Sequence, residues 1–404
     1  MIQDCLNLII KNNSYNKNIN FKILLDDNPN AFINEKNNLF ITTGLLKYLS
    51  SYEALIGVLA HEVGHLENFH INKRIDSIKN LSLYNQLGTL SLIATSILAN
   101  NTDYLLEALT SNQLGVKNYY SSFSREQERE ADIYAAKKIK EMKISPLPLI
   151  NFLKLLEKKS YKQGLNEESF RFLSHPVYKE RFKILSNDLT KKEYYSNRVL
   201  DNRFRFIKAK LFGYTEKNNG NFKMFLKDDY LKYSNSIMLS RNGKLKQSLI
   251  ILNKLIKKHP SNIYFLETKA DLLLKNGFSN EAKSFYKKIL KRDQNNKYVL
   301  KRIFEISYDN FKNDDNYKIT NNFFYENTQL LIVFSNDLML LNKYNEIALL
   351  LEKIDWVDFI EIIKSQENNS RKINIENSKK ILNRTSDNEL KIIIKQKIKV
   401  LNNV

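Results

Sequence analysis

Gly57-Val58-Leu59-Ala60-His61-Glu62-Val63-Gly64-His65-Leu66 sets an HExxH motif inside an apolar-periodic stretch, and the rest of the chain can be read outward from it. Residues four apart on an α-helix are offset by about 40° and rise roughly 6 Å, so His61 and His65 project from one side and can grip a single metal ion. Neutral imidazoles suit Zn²⁺, and a site with three protein ligands keeps one position for a water whose pKa falls to about 7. Glu62 lies beside that face and is placed to take the water's proton. The pattern points to metal-assisted hydrolysis with one Zn²⁺ per chain. The chain has only five histidines, so a chance HExxH is rare. The competing reading is a pair of half-buried core histidines held by hydrogen bonds.

The helix around the motif has its own signals. Ser50-Ser51-Tyr52-Glu53 reads as a capping box, and Ala54, Leu55, Val58, Leu59, Val63 and Leu66 supply a broad apolar face. We expect this helix to continue to about Asn80. Upstream, residues 1–50 read as a short helix and a small β element. Phe21–Leu25 and Ala31–Ile33 are strands, and Asn34–Asn38 is a turn into Leu39–Thr43, with Gly44 breaking the strand before the helices begin.

Downstream, Leu81 to Asn101 carries no charged residue, which invites a membrane-spanning reading. Its Asn, Gln, Gly, Ser and Thr content favours a helix or loop packed near the site, with a membrane-touching segment as the alternative. Ser124 with Gln127 is a second capping signature, so a helix runs from about Arg125 to Met142 and stops before Pro146. On it Glu128 and Asp132 share a face. They offer what a two-histidine helix lacks: a carboxylate as third ligand, and another to hydrogen-bond the far nitrogen of a ligand histidine. Glu126, Arg129 and Glu130 read as a solvated charged face. His70 is the rival third ligand. Three-histidine metalloproteases need HExxHxxGxxH, whereas here Asn68 stands at the glycine and His70 falls about 140° from His65 around an unbroken helix, which argues against ligation.

Composition sets outer bounds. The chain of 404 residues is long enough for two or three domains, and its formal net charge is +20. The lysines are spread among asparagines and isoleucines, so the charge suggests attraction to acidic surfaces, including peripheral contact with anionic lipid, and no specific nucleic acid. The single cysteine, Cys5, excludes an intramolecular disulfide and reads as a small buried apolar residue. Met1–Ile10 has no basic n-region and too short an apolar run for a secretory signal, so either the protein is not exported as written or a leader is missing from this chain.

Taken together, His61-Glu62-Val63-Gly64-His65 and Ser124-Arg125-Glu126-Gln127-Glu128-Arg129-Glu130-Ala131-Asp132 resemble the gluzincin metalloproteases related to HtpX and the CAAX prenyl proteases. Asn30-Ala31-Phe32, Thr43-Gly44-Leu45-Leu46 and Ser174-His175-Pro176 followed by Arg181 extend the resemblance to the BepA-like branch, periplasmic proteases with tetratricopeptide repeats. It covers about the first 190 residues and most of the next hundred. It implies Glu128 as third zinc ligand and Asp132 as the residue behind a ligand histidine. It also implies His175 near the metal as an extra ligand or gate, and Arg181 pointing toward the cleft, both candidates to stabilise the oxyanion. The strand at Asn30 and Ala31 resembles the edge on which such enzymes align a peptide. A periplasmic location is implied, although the missing export signal leaves a cytoplasmic one open.

In the second half a period of 34 residues appears: Tyr230 matches Tyr264, Gly243 matches Gly277, Ser248 matches Ala282 and Leu255 matches Ile289. This is tetratricopeptide spacing, with Pro260 ending the first unit. A third unit is expected near Tyr298 without its glycine, and Leu338–Leu350 reads as one more degenerate repeat. Such repeats bind protein segments on a concave surface, or simply cap the catalytic domain.

The fold class expected is α+β and mainly helical: a gluzincin-type zinc peptidase domain with a small edge sheet (1–195), a connecting helix (196–228), tetratricopeptide repeats (229–310) and degenerate helical repeats (311–404). The expected partners are unfolded or misassembled protein substrates and a protein bound by the repeats. A chaperone-like scaffold with a gated or structural zinc is the alternative function, but a scaffold has no need of a general base.

Overall fold

The computed structural model describes residues 1–11, 19–34, 37–73, 123–162, 179–186, 194–216, 226–313, 318–367 and 370–402. Two expectations, the uncharged run Leu81–Asn101 and the placement of His175, lie outside these residues. Two compact units are formed, Met1–Ser234 and Asn235–Val404.

The first unit opens with helix α1 (Ile2–Ile10), whose Cys5, Leu6 and Ile9 are fully buried. Burial raises the Cys5 thiol to about 11, so the residue packs as a small apolar group. Strands β1 (Asn20–Leu24), β2 (Ala31–Ile33) and β3 (Asn38–Thr42) then make a sheet in the order β1-β3-β2. β1 runs parallel to β3, and β2 pairs antiparallel to it with Ala31 opposite Ile41. β2 is therefore an edge strand. Thr42 anchors its approach: Oγ1 donates to the Asn28 carbonyl (2.6 Å), accepts from the Asn30 amide (2.9 Å) and caps the next helix by accepting from Leu45 N (3.1 Å). That helix, α2 (Thr43–Tyr48), contains Gly44, where a Cβ would lie 2.3 Å from the Asp27 carbonyl oxygen. Only glycine lets the backbone pass so close.

Helix α3 (Tyr52–Glu67) carries HExxH and is buried along nearly its whole length. It differs from the sequence expectation at both ends. Ser51 is the N-cap and makes no side-chain cap bond, and Glu53 accepts a long bond from Ser196 Oγ (3.4 Å), so the Ser50–Glu53 capping box is not made. At the other end the helix stops at Glu67, because Phe69 adopts φ +58 and Asn68 turns its own side chain onto the Gly64 carbonyl (2.9 Å). Chain direction changes there, and His70 begins a new turn.

Against α3 pack α4 (Arg125–Glu141), α5 (Leu147–Lys162) and α7 (Arg198–Thr215), and α6 (Lys179–Ser186) packs on α4 and α5. α4 starts at Ser124 with the capping box formed in both directions: Ser124 Oγ accepts from Gln127 N and Gln127 Oε1 accepts from Ser124 N. Two glycines on α3 set how closely its neighbours come. A Cβ at Gly57 would meet the Leu149 side chain of α5 at 2.7 Å, and one at Gly64 would meet the Ala131 backbone of α4 at 3.1 Å.

In the second unit, α9 (Leu245–Lys258), α10 (Ile263–Lys275) and α11 (Ser279–Leu290) follow α8 (Asp228–Arg241), within which the boundary between units falls. Gly243 and Gly277 turn the chain between α8 and α9 and between α10 and α11 with φ +77 and +85. The 34-residue period thus marks two helix–turn–helix pairs. α12 (Lys297–Asn313) follows, then α13 (Asn321–Glu326), α14 (Gln329–Val333), α15 (Leu338–Leu350), α16 (Ile354–Lys364), α17 (Arg371–Arg384) and α18 (Asn388–Asn402). The turn between α15 and α16 places Glu352 at φ +56, a left-handed position without glycine, so no glycine marks this pair in the sequence. Phe304 stacks on Tyr344 at 4.5 Å, in one core with Trp356 and Phe359. No helix among the described residues is long and apolar enough to cross a membrane.

Two predictions follow from this packing. Gly64→Val forces α3 and α4 apart and is expected to cost about 1–3 kcal/mol, read as a lower urea midpoint; an unchanged midpoint would show that the contact can relax. Lys397 on α18 is buried, and burial lowers its pKa to about 8 from 10.5. Between those values the unfolded chain binds more protons than the folded one, so stability rises with pH across that window. Lys397→Met should therefore be more stable than wild type at neutral pH, with the difference shrinking above pH 8 in denaturation series taken pH by pH.

Candidate metal centre

His61 and His65 lie one turn apart on α3, and Glu128 and Asp132 lie one turn apart on α4, so the close crossing at Gly64 brings two rings against two carboxylates. All four are buried. The Nε2 atoms of His61 and His65 are 3.1 Å apart. His61 Nε2 is 3.4 Å from Glu128 Oε2, and His65 Nε2 is 3.4 Å from Glu128 Oε1. Among the described residues, His61, His65 and Glu128 form the group of His, Cys, Asp or Glu side chains able to hold a metal ion.

The far side of each ring decides what the near side presents. His61 Nδ1 is 2.9 Å from Asp132 Oδ1, an ionised acceptor, so the ring proton sits on Nδ1 and donates to the carboxylate. His65 Nδ1 is 2.9 Å from His70 Nδ1, and its ring stacks on Phe123 at 3.8 Å between centroids. In the tautomer that carries the proton on Nδ1 of both rings, the two Nε2 lone pairs and the Glu128 carboxylate converge as three acceptors. Lone pairs and a carboxylate set this close repel one another, and a metal ion between them would remove that repulsion. Tetrahedral Zn²⁺ with bonds of about 2.0–2.1 Å sets neighbouring donors about 3.3–3.4 Å apart, close to the spacings seen. The residues present fit zinc.

Arg181, expected to point toward the cleft, is turned onto the carboxylates. Its Nε donates to Asp132 Oδ2 (2.7 Å) and Nη2 to Asp132 Oδ1 (2.9 Å), while Nη1 is 2.9 Å from Glu128 Oε2. The guanidinium is buried, and its contacts are those of a positioning residue. Burial alone would raise the Asp132 carboxyl, but Arg181 and His61 outweigh it and hold Asp132 below the usual carboxylate range. Burial and Arg181 act to lower His61, while Glu128 and Asp132 outweigh both and leave it above the ordinary imidazole value. Glu62 is buried on α3 and close enough to act electrostatically on Arg181. Ala31 opens the edge strand β2, and Asn30 immediately precedes it.

Two residues that sequence reasoning set aside belong to this cluster. His70 is fully buried against His65, and its Nε2 lies 2.6 Å from Glu130 Oε2. The unbroken-helix premise placed His70 away from the site; the turn at Phe69 brings it back. Glu130 is therefore not simply part of a solvated face, whereas Glu126 and Arg129 do form an exposed i, i+3 pair (3.0 Å). Asn68, a residue type that often ends helices, was the available signal for the break.

Comparison with known proteins agrees with this geometry. Residues 2–188 match the model of Peptidase family M48. The beta-barrel assembly-enhancing protease of Yersinia pestis is 22% identical over 275 residues, which is 66% of this chain and 56% of that protein. Its namesake in Escherichia coli K12 is 22% identical over 288 residues, 69% of this chain and 58% of that protein. The metalloprotease LoiP of Escherichia coli K12 is 28% identical over 173 residues, 42% of this chain and 62% of that protein. The chain thus spans somewhat over half the length of the assembly-enhancing proteases it matches. Residues 2–188 are accordingly similar to Peptidase family M48, in a chain similar to the beta-barrel assembly-enhancing proteases.

Proposed function

We propose that this chain is a zinc-dependent endopeptidase that cleaves misfolded or misassembled proteins of the cell envelope, placed in the periplasm like the branch it resembles. One observation carries the reading. Three buried acceptors, His61 Nε2, His65 Nε2 and a Glu128 oxygen, converge at spacings that suit one metal ion, with a further carboxylate, Glu62, one residue along from His61. Zinc held there would supply Lewis-acid activation of a scissile carbonyl and of a water.

The remaining work falls to the chain's own side chains. Glu62 takes the proton of the attacking water and returns it to the leaving amine. Asp132 keeps the His61 proton on Nδ1, so that Nε2 faces the metal position. Arg181 offsets the charge of Asp132 and Glu128 and holds both in place. The edge strand β2, opened by Ala31 and preceded by Asn30, offers main-chain groups on which an extended peptide can align. The helix pairs of the second unit recruit the substrate or an assembly partner.

Glu62→Gln is expected to keep stoichiometric zinc and lose cleavage of an unfolded model protein. Cleavage at the wild-type rate would remove Glu62 from the reaction. Zinc in the wild type with no fragments from any unfolded substrate would favour a metal-stabilised binding scaffold.

A further inference from the structure

His61 is held from behind by Asp132, but the sequence pattern names no such residue for His65. The structure supplies one. His65 Nδ1 faces His70 Nδ1 at 2.9 Å, and His70 Nε2 faces Glu130 Oε2 at 2.6 Å. His70 is fully buried, and Glu130 is 41% exposed by its side chain. We infer that His70, braced by Glu130, is the positioning residue that fixes the ring of His65 with its Nε2 lone pair turned toward the metal position; this rests on the zinc reading above.

Proton placement follows from counting donors and acceptors. Nε2 of His65 must present a lone pair to join His61 and Glu128, so its single ring proton is on Nδ1. That proton needs an acceptor, because a buried ring N–H left without one is costly. His70 Nδ1 lies within reach at 2.9 Å, and it accepts only if the His70 proton is on Nε2. Glu130 Oε2 lies where that Nε2–H can donate. Each contact fixes the next, and the direction of the chain is set by the carboxylate at its end. His65 and His61 are thereby held in the same tautomer by different means: a histidine backed by a carboxylate in one case, a carboxylate backed by arginine in the other. Phe123, stacked on His65, limits rotation of the ring and leaves the hydrogen bond to set its facing.

The test compares two near-isosteres by zinc competition against a chelator, with full-length protein checked for folding by near-UV circular dichroism. An asparagine amide places its oxygen about where His Nδ1 sits, and a glutamine amide reaches about where Nε2 sits. His70→Asn keeps an acceptor for His65 and is expected to bind zinc close to wild type. His70→Gln keeps the contact to Glu130 but removes the acceptor from His65, and its zinc affinity should fall about 10- to 100-fold. Should the buried variants fail to fold, Glu130→Ala, at a partly exposed position, is expected to weaken zinc several-fold, with Glu130→Gln restoring it through its amide oxygen. Equal losses in His70→Asn and His70→Gln would make His70 a packing residue and overturn the inference, as would wild-type affinity in both His70→Gln and Glu130→Ala. A wild-type protein that binds no zinc would instead overturn the metal reading itself.

Discussion

Helices α3 and α4 meet where Gly64 faces the backbone of Ala131, and the separation set at that crossing governs whether donors on the two helices can share an ion. Neither helix carries a complete site. α3 contributes two rings and a general-base candidate, and α4 contributes two carboxylates. Residues one turn apart on each helix can converge only if the helix surfaces touch almost backbone to backbone, and a side chain at position 64 would stand in the way. Gly57 makes a comparable allowance on the α5 side, so α3 is gripped along its length. Rigidity of this kind is what a site of converging donors needs, because tenths of an ångström separate a good metal cage from a poor one.

Electrostatics gives the same cluster its second character. Glu62, Glu128 and Asp132 are buried together, and the guanidinium of Arg181 is the cation seen among them. Removing one partner from a buried ion pair strands the other at a cost of about 3–5 kcal/mol. Arg181 therefore supports the fold while it positions Asp132 and Glu128. An incoming divalent cation meets negative charge already desolvated and already aimed, so little reorganisation is left for binding to drive.

How far the sequence reveals this depends on how local each feature is. The facing of His61 and His65, and of Glu128 and Asp132, follows from helix geometry alone, and the Ser124 capping box fixes where α4 begins. Gly243 and Gly277 expose two helix pairs because each sits at positive φ in a turn, and the same turn at Glu352 is silent because a non-glycine residue occupies it. What could not be read came from backbone events that residue types only weakly encode. Phe69 at φ +58 is marked only by the neighbouring Asn68, and with it went the placement of His70 and the pairing of Glu130. Arg181 was singled out by resemblance, but which groups it would face depended on the packing of α6 against α4, a contact between segments far apart in the chain.

That separation along the chain has a bearing on how the protein is made. His61 and His65 leave the ribosome together, Asp132 is 71 residues beyond His61, and Arg181 is a further 49 residues on. At synthesis rates of about 5–20 residues per second, the two α4 carboxylates wait on the order of seconds for their counter-charge. During that interval the pairing that seats Asp132 and Glu128 does not exist, and α4 has no buried cation to dock against. A nascent chain therefore carries the recognisable motif well before it carries the finished centre.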